Sequence, residues 1–87
     1  MTVSADTSRT KLRRYVLENF LFTDDDSALA DDDSFLDKGI VDSTGIMEVI
    51  LFIEEEFGFT VADDEMIPDN LDSVENLVGF VGRKLTS

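Results

Sequence analysis

The chain has 87 residues, of which 43% are apolar, and this size and composition suit one small domain with a modest core. It contains no cysteine and no histidine, which excludes disulfides, thiolate zinc sites and thiol nucleophiles and removes the commonest general base. Twenty acidic residues against seven basic ones give a formal net charge of −13, so nucleic-acid phosphates are not expected as ligands.

The first predicted element is a helix from Ser8 to Leu21. Its apolar residues recur at helical spacing with charges between them: Leu12, Tyr15, Val16 and Phe20. Basic residues in its first turn oppose the helix dipole, so nearby carboxylates are expected to offset them. Residues 1–7 are small and polar, and we expect a disordered N-terminus there, followed by a single helical domain over residues 8–87. No segment has the pattern of a signal peptide or a membrane span, so cytoplasmic residence is expected.

A long loop is predicted after this helix, over residues 23–41. Its two Asp triplets favour turns and caps, because Asp and Ser compete with the helical backbone for hydrogen bonds. Three apolar residues are expected to anchor the loop: Leu29, Phe35 and Val41. A calcium loop would need oxygen ligands at its first, third and fifth positions. Counted from Asp24 the fifth position is Ala28, and counted from Asp31 it is Phe35, so no metal site is predicted.

The strongest helix prediction covers Asp42–Phe57. Its apolar residues form one continuous stripe: Ile46, Val49, Ile50, Ile53 and Phe57. Asp42 or Ser43 would cap the N-terminus, and Gly58 would end the helix.

Three further apolar residues of this helix lie off the stripe: Met47, Leu51 and Phe52. Phe52 is as compatible with a wider core contact as with exposure, whereas Leu51, between Glu48 and Glu55, is predicted to be exposed. No basic residue occurs between Gly39 and Gly82. An apolar strip with an acidic rim is typical of a docking site, and a basic protein is its natural partner.

The rest of the chain is predicted as a loop with a short third helix around Asp64–Ile67, ended by Pro68. The last helix would begin at "DSVE", where Asp72 and Glu75 have the spacing of a capping box. Its apolar face comprises Val74, Leu77, Val78, Val81 and Leu85. The expected fold is an all-α, small four-helix bundle, with three main helices, a short third helix and a long loop after helix one.

Ser43 is a candidate helix cap, nucleophile or attachment point. A hydroxyl is a poor nucleophile without a neighbouring base, and the sequence offers no histidine and only Lys38 nearby. The N–H groups of a helix N-terminus favour anions, so a phosphate attached there would be well placed. Ser43 is therefore interpreted as chemically passive but well placed to be modified, with another protein supplying the base. The second Asp-Ser pair, at Ser73, is interpreted as structural.

The segment "GIVDSTGIMEVILFIEEEFG", residues 39–58, resembles the modification segment of acyl and peptidyl carrier proteins, and "PDNLDSVENLVGFV", residues 68–81, is similar to their third-loop and fourth-helix segment. The resemblance spans about residues 8–85. It implies that Ser43 receives 4′-phosphopantetheine from coenzyme A and that Asp42 helps to orient the modifying enzyme and its Mg²⁺. It also implies a docking surface formed by Thr44, Met47, Glu48, Leu51, Glu54 and Glu55.

The resemblance implies a non-catalytic, monomeric carrier whose arm holds acyl or aminoacyl groups as thioesters. Its partners would be a phosphopantetheinyl transferase, a loading ligase, and synthases or transferases of fatty-acid, polyketide, nonribosomal-peptide or related biosynthesis. Thr44 stands where the family usually has an aliphatic residue, which favours a specialised, free-standing carrier. An acyl cavity would lie between the central helix and four residues: Phe59, Val61, Met66 and Ile67. The alternative function is an unmodified acidic helical module that docks basic proteins.

Overall fold

The computed structural model describes residues 5–86, and every regular element in this range is helical. Helix α1 spans Ala5–Val16 and runs on into a π-helical turn at Leu17–Leu21. Helices α2, α3 and α4 span Ser43–Phe57, Pro68–Leu71 and Val74–Thr86. Short 3₁₀ turns lie at Asp26–Ala28 and Asp63–Glu65. The predicted all-α four-helix bundle with a long first loop is confirmed.

The first helix begins earlier than predicted, whereas its π-helical continuation ends at Leu21, the predicted bound. Ala5–Thr7, predicted to be disordered, are helical, and Asp6 lies in the first turn, where the helix dipole stabilises a carboxylate. The remainder of the predicted disordered segment, residues 1–4, lies outside the described residues. At the other end the π-helical turn closes on Phe22, which has a left-handed φ of 54° and donates its N–H to the Leu17 carbonyl.

The core lies between α1, α2, α4 and the long loop. Helix α1 packs along α4, which also contacts α2 and α3. The predicted loop anchors Leu29, Phe35 and Val41 are all buried, so the loop is held in place by its own apolar side chains. Phe80 is buried as well, although it lies outside the predicted apolar face of α4.

The N-terminus of α4 corrects the predicted capping box. Ser73, which is buried, accepts the Asn76 N–H at 3.0 Å, so Ser73 is structural as predicted and is itself the cap. Asp72 instead accepts hydrogen bonds from the Ser34 hydroxyl and the Leu36 N–H in the long loop. Glu75 pairs with Arg9 at 2.7 Å. These long-range partners compete with the local capping box and displace it.

The short third helix begins at Pro68, whereas the prediction ended it there. Proline is tolerated at the first helical position because its missing N–H would have no intrahelical acceptor. The predicted turn around Asp64–Ile67 corresponds to the 3₁₀ turn Asp63–Glu65. Among the described residues, none of the helices has the length and apolar character that crossing a membrane requires.

Candidate functional site

Ser43 is the first residue of α2, and its side chain is exposed. The N-cap is Asp42, whose Oδ1 accepts the Gly45 N–H at 2.7 Å. The sequence predicted that either Asp42 or Ser43 would be the N-cap, and in the structure the N-cap is Asp42. Within residues 5–86 no hydrogen bond engages the Ser43 hydroxyl, so the hydroxyl is available to an approaching molecule.

An apolar groove of about 200 Å³ opens beside Ser43. Its remaining lining comes from the long loop, α2 and the α3 region: Leu36, Ile46, Ile67, Pro68, Leu71 and Asp72. Leu36 and Ile67 are 47% and 43% exposed, so they form exposed edges of the groove that Ser43 also lines. A flexible group attached at Ser43 could lay apolar atoms against these side chains.

The groove only partly matches the predicted acyl cavity. Ile67 lines it, but Val61 is buried in the core. The Phe59 ring packs between Phe57 and Phe80, with centroid distances of 6.5 and 6.0 Å. These aromatic contacts fill the space that the prediction had left open.

Sequence reasoning missed Leu36 as a residue of the site. A signal was present in "SFLDKG", because two successive apolar residues in a loop seldom both face the core. Phe35 is fully buried, and Leu36 points outward beside Ser43. The Leu36 N–H donates a hydrogen bond to the Asp72 carboxylate at 3.0 Å. This bond connects the Leu36 edge of the groove to the end of α3.

The outer face of α2 carries the residues predicted for docking. Met47 and Leu51 are 51% and 57% exposed, which confirms the predicted exposure of Leu51. Thr44, Glu48 and Glu55 are exposed on the same face. Phe52 is half-buried and stacks on Tyr15 at a centroid distance of 4.0 Å, so it widens the core contact.

Glu54 has a structural partner. Its Oε2 accepts the Val61 N–H at 2.8 Å and it is half-buried. This bond holds the segment after α2 against the helix. Of the six residues predicted for docking, Glu54 is thus the one whose carboxylate already serves the fold.

The acidic residues that surround Met47 and Leu51 are not neutralised by basic side chains of residues 5–86. Within the described residues no ion pair reaches Asp42, Glu48 or Glu55, whereas basic side chains on the rest of the molecule are paired: Arg9, Lys11, Arg13, Lys38 and Lys84. Burial, and after it the neighbouring Glu48 carboxylate, raises the pKa of Tyr15. The exposed face of α2 therefore presents negative charge around an apolar strip.

A metal site is not formed by the acidic residues of the long loop. Among residues 5–86, no three carboxylates lie where they could hold one ion. Asp25 accepts hydrogen bonds from Ser27, Asp31 from Arg9 and Arg13, and Asp33 from the Ala30 N–H. The Asp triplets thus organise the loop and its contact with α1.

A family model described as "Phosphopantetheine attachment site" matches residues 11–81, a range that runs from α1 into α4 and includes Ser43. The chain belongs to this family. It is a phosphopantetheine carrier domain, and the sequence-based resemblance to carrier proteins is confirmed.

Two curated relatives of this carrier domain are carrier proteins by name. A D-alanyl carrier protein of Abiotrophia defectiva is 29% identical over 51 residues, which are 59% of this chain and 65% of the relative. An acyl carrier protein of Petrotoga mobilis (strain DSM 10674 / SJ95) is 29% identical over 75 residues, which are 86% of this chain and 84% of the relative. The chain spans slightly less than two thirds of the first relative and most of the second.

Proposed function

We propose that Ser43 is the attachment point of 4′-phosphopantetheine and that the protein carries acyl or aminoacyl groups between partner enzymes without catalysing a reaction itself. The observation that carries this proposal is the position of Ser43. It is an exposed serine at the N-terminus of a 15-residue helix, inside the region matched by the family model, and its hydroxyl has no hydrogen-bond partner among the described residues.

The first turn of α2 fits a phosphate. The first N–H groups of a helix have no intrahelical acceptor, and Asp42 occupies that of Gly45 but not those of Ser43 and Thr44. These two groups, together with the helix dipole, favour a phosphodiester on the Ser43 oxygen. The apolar groove beside Ser43 fits the uncharged part of the arm or its cargo.

In the attachment reaction the Ser43 oxygen forms a bond to the phosphorus that bears pantetheine, and the pyrophosphate bond of coenzyme A breaks. Adenosine 3′,5′-bisphosphate leaves, and the hydroxyl proton passes to a base on the transferase, because the chain has no histidine to accept it. Asp42 stays free at its second carboxylate oxygen to face the transferase and its Mg²⁺. The bound group supplies a terminal thiol that holds acyl or aminoacyl groups as thioesters.

The partners we propose are a phosphopantetheinyl transferase, a loading ligase and downstream synthases or transferases with basic docking surfaces. Met47 and Leu51 would supply the apolar centre of the contact, with Thr44, Glu48 and Glu55 around it. Glu54 would join them through its exposed part. The carrier proteins among the relatives bear names for both acyl and D-alanyl cargo, so both cargo classes enter the proposal.

An intact-mass measurement tests the proposal. The apo protein is incubated with coenzyme A, Mg²⁺ and a broad-specificity phosphopantetheinyl transferase. We expect the mass of one phosphopantetheine group to be added to the wild type and none to be added to Ser43→Ala.

The matched control is Ser73→Ala, which alters the second Asp-Ser pair. Ser73 is buried and caps α4, so its loss should lower stability by about 1 kcal/mol and leave the mass gain intact. No gain in the wild type, or an equal gain in Ser43→Ala, would contradict the carrier function. The first of these results would favour the unmodified docking module.

A further inference from the structure

Gly45 is a buried glycine in the first turn of α2, two residues after Ser43. Glycine weakens a helix relative to alanine, so its presence here calls for a local reason. The surroundings supply one. A Cβ built on Gly45 would lie 2.8 Å from Phe20 Cε1 and 2.8 Å from Val41 Cγ1, closer than carbon atoms approach in proteins.

The two neighbours come from different parts of the chain. Phe20 belongs to the π-helical turn that ends the first helix, and its ring packs edge-on against Tyr15 at 5.8 Å. Val41 is buried and directly precedes the N-cap Asp42. The end of the first helix and the end of the long loop therefore both pack against the backbone of Gly45.

The same backbone carries the cap of α2. The Gly45 N–H donates to Asp42 Oδ1, and the built Cβ would also come within 3.3 Å of that oxygen. Since Asp42 is joined directly to Ser43, whatever displaces the cap displaces the serine. Of the exposed docking residues, Thr44 and Glu48 line one pocket together with Phe20 and Gly45, whereas Met47, Leu51 and Glu55 lie outside it.

We propose that Gly45 is a positioning residue for the phosphopantetheinylation of Ser43, an inference that rests on the function proposed above. Its missing side chain lets Phe20 and Val41 hold the Asp42–Gly45 turn in one place. This fixes the Ser43 oxygen for attack on coenzyme A. Gly45 touches neither coenzyme A nor the transferase and acts through this packing alone.

The test is the steady-state kinetics of phosphopantetheinylation of Gly45→Ala. A small misplacement of a reacting group lowers the rate of the chemical step strongly, so we expect kcat to fall by about tenfold to a hundredfold. Gly45 is buried, and the docking residues Met47, Leu51 and Glu55 lie outside the pocket that it lines with Phe20, so KM for the carrier should stay within roughly twofold of the wild-type value. A loss of folding would instead scale down the active concentration, which circular dichroism and the thermal midpoint report.

The matched control is Gly82→Ala in α4, where an added Cβ meets nothing within 4 Å. The same chemical change there should raise the thermal midpoint by roughly 4 °C through helix propensity and leave kcat and KM unchanged. The comparison separates the contact at Gly45 from any general effect of replacing a helical glycine.

The contact itself is tested with Phe20→Leu and the double variant. A leucine lacks the ring atom that meets the added Cβ, so Phe20→Leu should restore part of the kcat lost in Gly45→Ala, while the Val41 contact remains. Alone, Phe20→Leu loosens the support and should lower kcat severalfold at unchanged KM. If Gly45→Ala does not fold, this single variant carries the test.

Three results would overturn the proposal: an unchanged kcat in folded Gly45→Ala, simple additivity in the double variant, or an unchanged kcat in Phe20→Leu. A wild-type protein that gains no mass would reject the proposed function itself. That failure is seen before any variant is compared, so the two are distinguishable.

Discussion

Asp42 and Ser43 divide two tasks at the N-terminus of α2. Asp42 accepts the Gly45 N–H and caps the start of the helix, and within residues 5–86 the adjacent Ser43 hydroxyl has no hydrogen-bond partner. Had Ser43 been the cap, its oxygen would accept a backbone hydrogen bond and be held close to the helix end. Placing the cap one residue earlier gives an exposed serine on a rigid helical turn.

Ser73 shows the opposite outcome for a similar local sequence. It also follows an aspartate and precedes a helix, but it is buried and its oxygen accepts the Asn76 N–H. The two serines differ because the preceding aspartates differ in their partners. Asp72 turns away to Ser34 and Leu36, which leaves the capping position to Ser73.

Charge reversal on α2 tests the docking surface. Glu48→Lys and Glu55→Lys should each raise KM for the transferase about fivefold to tenfold at low salt, because each replaces attraction to a basic surface with repulsion. The effect should shrink at high salt, where exposed charges are screened. The measurement is the initial rate of phosphopantetheinylation against carrier concentration at two salt concentrations.

The control for this experiment is Asp24→Lys, which makes the same change in net charge. Asp24 lines a separate cleft on the first helix beside Arg13 and Arg14, so its reversal should leave KM nearly unchanged. Equal effects of all three substitutions would indicate a response to net charge and place the recognition surface elsewhere.

At the scale of elements, one carboxylate joins the long loop to α1. Asp31 accepts hydrogen bonds from Arg9 and Arg13, each at 2.6 Å, and its backbone carbonyl accepts the Glu75 N–H of α4. These contacts offset the basic residues of α1, as predicted. They also hold the start of the segment that leads to Leu36 and Ser43.

Removing the Asp31 charge should loosen this junction. We expect Asp31→Asn to lower the free energy of unfolding by about 1–2 kcal/mol, because two charge-assisted hydrogen bonds on a partly exposed side chain are weakened. Urea denaturation measures the change. The neighbouring control Asp32→Asn lies at an exposed position and should change the value by less than about 0.5 kcal/mol.

The difference between wild type and Asp31→Asn should depend on pH. Burial alone would raise the pKa of Asp31, but hydrogen bonds and charge from Arg13 and Arg9 outweigh it and lower the pKa below its ordinary value. A lowered pKa stabilises the fold above the unfolded-state pKa, near pH 4, and this contribution is lost as pH falls through the folded-state value. A gap between the two proteins that stays constant on acidification would contradict this assignment.

At the scale of the whole molecule, the net charge of −13 is distributed unevenly. Ion pairs gather on α1, the long loop and the α4 side, and one joins α1 to Glu56 of α2, but none within the described residues reaches Asp42, Glu48 or Glu55. The unpaired acids repel one another and destabilise the folded state. The same uneven distribution of charge gives the molecule an asymmetric electrostatic field, which would steer a basic partner towards Ser43.

Salt should therefore stabilise the protein. Raising NaCl from about 10 mM to about 1 M shortens the screening length from about 30 Å to about 3 Å. We expect the thermal midpoint to rise by about 5 °C, since relief of repulsion outweighs the weakening of exposed ion pairs. Circular dichroism follows the transition.

The control is the double variant Glu48→Gln/Glu55→Gln, whose salt response should be smaller than that of the wild type. A thermal midpoint that falls as salt is added would contradict this prediction. It would show that the ion pairs around Asp31 stabilise the fold by more than the repulsion on α2 destabilises it.

The sequence by itself determined the position of α2 and the place of Ser43 at its start, because these depend on local chemistry. The apolar stripe of α2, the Asp42-Ser43 pair and Gly58 at the helix end are read within one stretch of chain, and each is found where it was predicted. Leu51 could be predicted as exposed from its glutamate neighbours. The docking residues remain a prediction, since exposure alone does not show what binds.

Only the tertiary structure decided which atoms meet across the chain. The choice of Ser73 over Asp72 as a cap depends on Ser34, and the groove beside Ser43 depends on Leu36 and Ile67. The need for glycine at position 45 depends on Phe20, which the π-helical turn brings against it. Contacts between residues that are distant in the sequence override local preferences when the core holds both partners in place. The periodicity of the sequence contains no information about such contacts.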